Sequence, residues 1–355
     1  MMKTPSVSVI VPVYNVSQYL DQCLDSLVNQ TLSDIEIICV NDASTDNSLE
    51  ILKSWGQKDE RIRIIDLPEN RMVGAVRNIG MKTASGEYLG FLDSDDYVSY
   101  DFYQSLVDAL KPGIDVVTTK YTMRFVEHSE QQLLQFNDTV DLDNQDSVKR
   151  FIAAYGCRLC ASIYRRSYVI ENQFQFPEGV FFEDNPIVQC MFLVANQIVV
   201  IDNKSSFWWY RINPSSIVHS SFSDRKFSDR LPMQLLMLEN YRKYHLADIY
   251  KEEFSYRFFI TFYFNTIHLL LFRRKDYRAD LIRQVYKKYM EIAGDFPSNV
   301  YMENDGNFGA YKLIGKYPAV GRLYKYYNLH NGSLVQRLLK KAKRLLKKAK
   351  RLLFK

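Results

Sequence analysis

A chain of 355 residues can form one large domain or two ordinary ones, and its 47% apolar and 25% charged content is that of a soluble globular protein. The formal charge of +5 is local, because residues 334–355 hold ten Lys or Arg and no acid; the acidic remainder gives no support to a nucleic-acid-binding body. The longest apolar stretch, Phe258 to Phe272, is interrupted by Thr261, Asn265, Thr266 and His268 and is too short to span a bilayer, so it reads as a buried or partly membrane-facing helix.

Val7 to Val11 is a β-branched run stopped by Pro12, the pattern of a buried strand. A helix follows, with Ser17 as its expected N-cap and Leu20, Leu24, Leu27 and Val28 along one face. Ile35 to Val40 is a second strand, and the polar turn Asn41 to Asp46 leads into a helix bearing Leu49, Leu52 and Trp55. Arg61 to Asp66, a helix over Val73–Thr83 and a strand ending at Asp93 complete an alternation that implies a mainly parallel sheet with helices on both faces. Ligands in such sheets bind beyond the carboxyl ends of the strands, where Pro12–Asn15, Asn41–Asp42 and Asp93–Asp96 all fall.

Past Ile114 the pattern loosens. Val116 to Thr119 is a strand, Glu127 to Asp146 a polar surface excursion, and Asp184 or Asn185 is placed to cap a helix with Pro186 in its first turn. Beyond Ser223 the chain reads as helical, which divides it into 1–222, 223–333 and 334–355. In the last segment Leu338–Arg344 is repeated as Leu345–Arg351; as a helix it places Leu and Ala on one face and cations on the other. That is the signature of a helix lying on an anionic membrane surface; a coiled coil would set cation against cation, and a nucleic-acid tail is the other alternative. Cys23, Cys39, Cys157, Cys160 and Cys190, an odd set with no leading secretory signal, imply a reducing cytosol. Cys157–Cys160 is a lone CxxC and reads as two thiols rather than a zinc site.

Asp93, Asp95 and Asp96 put three carboxylates within four positions at the end of an apolar strand. Like charges so close repel, and the arrangement suits a divalent cation or a phosphate-bound metal; the alternative is a solvated acidic turn capping the helix near Tyr100.

Together these residues resemble glycosyltransferase family 2, of the GT-A fold. Val9-Ile10-Val11-Pro12-Val13-Tyr14-Asn15 is similar to the opening strand and loop, and Val40-Asn41-Asp42-Ala43-Ser44-Thr45-Asp46 to the second-strand motif. Gly74 to Gly80 resembles the Arg-Asn helix, and Leu92-Asp93-Ser94-Asp95-Asp96 the DxD motif. Phe182-Glu183-Asp184-Asn185 is similar to the glutamate-aspartate segment, and Trp209 to Ile217 to the aromatic-arginine-proline-serine segment of capsule and lipopolysaccharide members. Asn41 departs from the more usual Asp, and Ala43 stands where glycine is frequent.

The resemblance implies an inverting transferase that takes a sugar from a nucleotide-sugar donor, with UDP expected, to a saccharide or lipid-linked acceptor of cell-surface polysaccharide, at the cytoplasmic face of the membrane. Pro12, Tyr14, Asp42, Arg77, Asp93 and Arg211 would contact the donor, Arg77 beside the diphosphate and Asp42 at the base; Asp42 as a turn or helix cap stays open. Asp95, with Asp93, would hold Mn²⁺ or Mg²⁺, and Asp96 would orient the loop. Asp184 is the candidate general base, with its apolar neighbours expected to raise its pKa, and Glu183 the alternative; either could instead cap the following helix. Arg211, Ser215 and His219 would form a loop over the diphosphate, with Trp208 and Trp209 as its packing base. Pro12-Val13-Tyr14-Asn15 lacks the glycines and cations that a nucleotidyltransferase or a dinucleotide-binding oxidoreductase needs after its first strand. A catalytically silent sugar-nucleotide-binding or scaffolding subunit at the membrane is the alternative of a different class.

Overall fold

The computed structural model describes residues 4–126, 131–135, 140–154, 159–213, 223–274, 276–296, 301 and 308–329. It forms two compact units, Met1–Arg257 and Phe258–Lys355. In the first, β1 (Val7–Val13), α1 (Ser17–Val28), β2 (Ile35–Asn41), α2 (Ser48–Lys58), β3 (Ile62–Asp66), α3 (Met72–Thr83) and β4 (Tyr88–Phe91) follow the expected alternation. β1 pairs in parallel with β2 and β4, and β2 with β3. The unbroken apolar run of β1 follows from burial on both faces: Val7, Val9, Val11 and Val13 join Leu20, Leu24 and Leu27 of α1 in one core cluster, while Ile10 joins Val76 of α3 in the other. Gly80 makes the second packing possible, since a Cβ there would lie 2.4 Å from Cγ2 of Ile10.

The chain continues through β5 (Tyr97–Val98), α4 (Phe102–Asp108), β6 (Val116–Thr119), β7 (Tyr121–Phe125), β8 (Gln131–Gln135), α5 (Gln145–Ala154), β9 (Ser162–Arg165), α6 (Arg166–Glu171), α7 (Val188–Leu193), β10 (Ile198–Ile201) and β11 (Trp208–Arg211). The main sheet has the order β10-β6-β9-β4-β1-β2-β3, with β9 antiparallel to both neighbours. After β1 the chain steps outward through β2 to β3 and then returns to β4 on the other side of β1. The crevice between β1 and β4 is therefore the point where strand order reverses, the place such sheets bind ligands. A smaller sheet, β5-β11-β7-β8, sits beside it and draws Trp208–Arg211 against the residues that follow Asp96.

Several expectations are corrected. The polar stretch after Glu127 includes a strand: β8 pairs back on β7, Gln131 opposite Phe125. Ser17 opens α1 rather than capping it; its N–H donates to Oδ2 of Asp46 at 3.0 Å, so the cap comes from the neighbouring loop. The helix expected at Pro186 begins at Val188 with no side-chain cap. The two compact units divide between Arg257 and Phe258, so the residues just past Ser223 lie in the first of them. The cause is apolar: α8 (Asp224–Ser228), α9 (Arg230–Lys243) and α10 (Lys251–Phe258) follow, and Met237, Tyr241 and Phe254 from this region join the core cluster of Phe174 and Phe192.

The second unit contains a π-helical turn, Phe259–Phe264, then α11 (Asn265–Phe272), α12 (Ala279–Ala293), α13 (Phe308–Lys316) and α14 (Ala319–Leu329). Phe259, Tyr263, Tyr289 and Phe296 pack ring against ring, so the apolar stretch is a core. Among the described residues no helix is long and apolar enough to cross a membrane. Cys23, Cys39, Cys160 and Cys190 are buried free thiols. Cys157, Ser215, His219 and the segment 334–355 lie outside the described residues.

Asn15, Ala43, Met72 and Phe182 have left-handed backbones, with φ of 53°, 56°, 65° and 66°. Such a backbone costs an L-residue on the order of 1–2 kcal/mol, part of which glycine gives back in chain entropy. Ala43→Gly is therefore expected to stabilise the fold by about 0.5–1 kcal/mol, read as a thermal midpoint higher by a few degrees; a lower midpoint would show the loop to be unstrained at this position.

Candidate active site at the β1–β4 crevice

A cavity of about 570 Å³ opens at the carboxyl ends of β1, β2 and β4. Pro12, Tyr14, Asp42, Arg77, Asp93, Asp95, Asp184 and Arg211 all line it, while Ser215 and His219 lie outside the described residues.

At one end, Asp42 closes the loop after β2. Its Oδ1 accepts the N–H of Arg71 at 2.7 Å and its Oδ2 that of Met72 at 2.9 Å, capping the start of α3 across 30 residues of sequence. The helix-cap alternative for Asp42 is thus realised. Burial raises its pKa, while the two N–H groups work the other way. Asn15 Oδ1 accepts the N–H of Thr45 at 2.7 Å and joins the first loop to the second. Tyr14 leaves 47% of its surface exposed at the mouth.

α3 organises the middle. Asn78 donates to the Phe176 carbonyl at 2.8 Å and accepts the Phe176 N–H at 2.9 Å, clamping the segment that leads to Glu183. Gly74 permits that approach, because a Cβ there would meet the Pro177 carbonyl oxygen at 2.0 Å. Arg77 is 5% exposed. Its Nη1 donates to Oε1 of Glu183, and its Nη2 to Oδ1 of Asp93 at 2.8 Å. Burial alone would lower the guanidinium pKa, and Asp93 and Glu183 hold it above its ordinary value. Both Nη atoms are engaged by carboxylates, so Arg77, which also lines the cavity, is a buried bridge between the DxD rim and the glutamate-aspartate segment.

Burial pushes the Glu183 carboxyl up to about 7, against the pull of Arg77. The apolar surroundings expected for Asp184 thus enclose Glu183 instead. Phe182 explains the exchange, since its left-handed φ of 66° turns the chain just before Glu183 enters the core. Asp184 is half-buried at the cavity wall, and Nδ2 of Asn185 donates to its Oδ1 at 3.0 Å. Its backbone carbonyl, rather than its carboxylate, receives the N–H groups of Ile187 and Val188. Neither acidic side chain caps α7.

At the DxD rim, Asp96 is fully enclosed and accepts Trp208 Nε1 at 2.9 Å and the Arg211 N–H at 2.7 Å, so it orients the loop. Burial, and then Asp95 and Asp93, push its pKa well up. Asp95 is raised by burial and by Asp93, and Nδ2 of Asn213 approaches its Oδ2 at 3.3 Å. Asp93 keeps 40% of its side chain exposed. Two neighbouring carboxylates on a cavity wall, one raised by the other, fit a hard divalent cation whose remaining ligands are phosphate oxygens and water. Among the described residues no group of three or more His, Cys, Asp or Glu side chains forms a cage by itself.

Arg211 lies under this rim. Its Nε donates to the Asp95 carbonyl at 2.7 Å and its Nη2 to Oε1 of Gln22 at 2.5 Å, with the rings of Tyr19 and Phe125 4.6 and 4.7 Å from its Cζ. Its side chain belongs to the floor of the site. Trp209 stacks on Tyr97 at 5.3 Å and Trp208 binds Asp96, so both tryptophans serve as packing and not as an open sugar platform. The sequence gives no signal for Gln22 or Arg225, which reach the cavity or its floor through long-range folding alone, whereas Asn213 falls within the Trp209–Ile217 segment without being singled out.

Residues 8–171 match the model for glycosyl transferase family 2. Glycosyltransferase EpsJ of Bacillus subtilis (strain 168) is 32% identical over 257 residues, 71% of this chain and 74% of that protein. TarS 1–349 of S. aureus, solved in complex with UDP-GlcNAc, superposes with a TM-score of 0.65 at 22% identity over 90% of this chain and 91% of that one. Mannosyltransferase PcManGT of Pyrobaculum calidifontis, solved with GDP-Man and Mn²⁺, gives 0.50 at 12% identity over 92% and 88%. The reversal of strand order between β1 and β4, the carboxylate rim at its end and the identity shared with EpsJ agree: the chain belongs to glycosyltransferase family 2, has the GT-A fold and is a glycosyltransferase.

Proposed function

We propose that the protein is an inverting transferase that moves a sugar from a nucleoside-diphosphate donor, a UDP-sugar, to a saccharide or lipid-linked acceptor in cell-surface polysaccharide synthesis. The observation that carries this reading is the placement of Asp93 and Asp95 beside Arg77 in the same cavity as Asp42 and Asp184. The UDP-GlcNAc held by TarS and the GDP-Man and Mn²⁺ held by PcManGT support a nucleotide-sugar donor.

Asp42, Pro12 and Tyr14 receive the nucleoside at the mouth between the first two loops. Mn²⁺ or Mg²⁺ held by Asp95 and Asp93 with the donor phosphates would neutralise the charge that gathers on the departing diphosphate. Arg77 fixes Asp93 in advance, so little reorientation of that carboxylate is needed at the moment of bond cleavage. Arg211 supports the Asp95–Asp96 backbone from below.

Asp184 takes the proton of the attacking acceptor hydroxyl. It faces the cavity, whereas the neighbouring Glu183 is engaged by Arg77. Attack from the face opposite the diphosphate inverts the anomeric centre. The membrane contact rests on the repeated basic segment 334–355 at the cytoplasmic face.

With Mn²⁺ and a panel of UDP-, GDP- and TDP-sugars, release of the nucleoside diphosphate is expected from a UDP-sugar; binding with no release from any donor would favour a silent subunit. Asp184→Asn should lower kcat by about 10²–10⁴-fold with UDP affinity intact. Glu183→Gln should act first on the thermal midpoint, because it leaves the buried Arg77 with a single charged partner. Near-normal turnover by Asp184→Asn would remove Asp184 from the reaction. Truncation before Leu334 should release the protein from anionic liposomes while donor hydrolysis persists, and undiminished liposome binding would locate the membrane contact elsewhere.

A further inference from the structure

The cavity wall on the Phe181–Phe182 side carries one cation outside the donor assignment, Arg225, and has a second, Arg230, packed on its Phe182 ring. Arg225 of α8 lines the cavity, with its Nη2 2.7 Å from the Gly179 carbonyl and 2.9 Å from Sδ of Met72, and its Cζ 5.4 Å from the Phe181 ring. Arg230, at the start of α9, lays its guanidinium over the Phe182 ring at 4.5 Å. Lys226 stands between them in sequence, and burial and then the charge of Arg230 lower its pKa. Phe182 immediately precedes Glu183 and Asp184, so these cations flank the place where an acceptor hydroxyl must enter.

The two arginines differ in how they are paired. Arg71 is paired with Glu178 at 3.0 Å, and Arg225 has Asp229 at 3.7 Å, whose Oδ2 also accepts the Phe181 N–H at 3.1 Å. Arg230 has neither an ion pair nor a hydrogen bond among the described residues, and its Nε is buried without a partner. Burial lowers its pKa to about 10. An arginine so placed is stabilised by an arriving anion, and a guanidinium fork matches phosphate oxygens.

We propose that Arg230 and Arg225 form a phosphate-binding rim for the acceptor, so that the transferred sugar goes to a hydroxyl on a phosphate-bearing chain. This rests on the transferase reading above and adds the class of acceptor to it. The phosphate belongs either to a soluble polyol-phosphate chain or to a diphosphate that links a saccharide to a lipid, and the rim addresses the group they share.

The test uses the full chain with its donor site saturated by UDP and Mn²⁺, at low salt. Calorimetric binding is measured for a short glycerol-phosphate oligomer, for a short-chain isoprenyl-diphosphate sugar in detergent micelles, and for a neutral glycerol oligomer. At least one phosphate-bearing ligand should bind about tenfold or more tightly than the neutral one, and which of them does so identifies the source. Arg230→Gln should lose about tenfold of that affinity and Arg230→Lys less, with Arg225→Gln as a second variant at a more exposed position. UDP binding by each variant reports the donor half separately. Equal binding of neutral and phosphate-bearing ligands, or full affinity retained in both glutamine variants, would overturn the inference and leave the transferase reading standing. Displacement of UDP by the phosphate oligomer would do the same, since the cations would then serve the donor diphosphate. Failure of UDP to bind the native chain would remove the UDP-donor reading, and with it this inference, which is built on that donor.

Discussion

Arg77 is a cation withdrawn from water, and the arrangement of the site follows from what is needed to keep it there. Desolvating a guanidinium costs several kcal/mol unless hydrogen-bonded carboxylates meet it on more than one side. Asp93 and Glu183 do so from segments that lie 16 and 106 residues away in sequence. The end of β4 and the segment before α7 are thereby tied through one side chain. The geometry of the DxD rim is set before any ligand arrives, and a carboxylate that would otherwise rotate in solvent is held at the cavity wall.

α3 gathers the other constraints along its length. Asp42 caps its first turn, Gly74 lets the Pro177 carbonyl come close, Arg77 and Asn78 clamp the following segment, and Gly80 seats the helix on Ile10. The backbone strain lies at the ends of these contacts. Met72 follows the Asp42 cap and Phe182 precedes the Glu183 pair, both left-handed. Strain of this sort persists only where neighbouring contacts over-determine the backbone, and here both positions line the cavity. Asp42 has a double position for the same reason: one carboxylate follows β2 at the cavity wall and caps the helix that carries Arg77.

Much of the frame could be read from residue order because it depends on period and on local cost. The apolar run of β1, the helical spacing of Leu20, Leu24 and Leu27, and three carboxylates within four positions each carry their own physical signature. What could not be read depends on partners. Arg77 stood out by its motif, yet its two carboxylates come from distant segments, so its burial was invisible. The choice between Glu183 and Asp184 was equally hidden: Phe-Phe-Glu-Asp gives no period, and the left-handed turn at Phe182 decides which side chain goes inward. α9 and α10 were set apart from the first unit because their sequence carries no motif, although Tyr241 and Phe254 stack at 3.8 Å inside its core.

The split between what the family model covers and what it does not has a chemical meaning. Residues 8–171 contain Asp42, Arg77, Asp93 and Asp95, the half of the cavity to which the proposed function assigns the nucleotide and its phosphates. Glu183, Asp184, Arg211, Arg225 and Arg230 lie beyond that span, and with them the wall beside the glutamate-aspartate segment. A nucleoside diphosphate presents the same groups whichever sugar it carries, so the residues that meet it can remain within one sequence pattern. The wall proposed to meet the acceptor is built by α8 and α9 reaching back to Gly179–Phe182, contacts that depend on packing rather than on a motif, and change there can proceed without disturbing the Arg77 bridge.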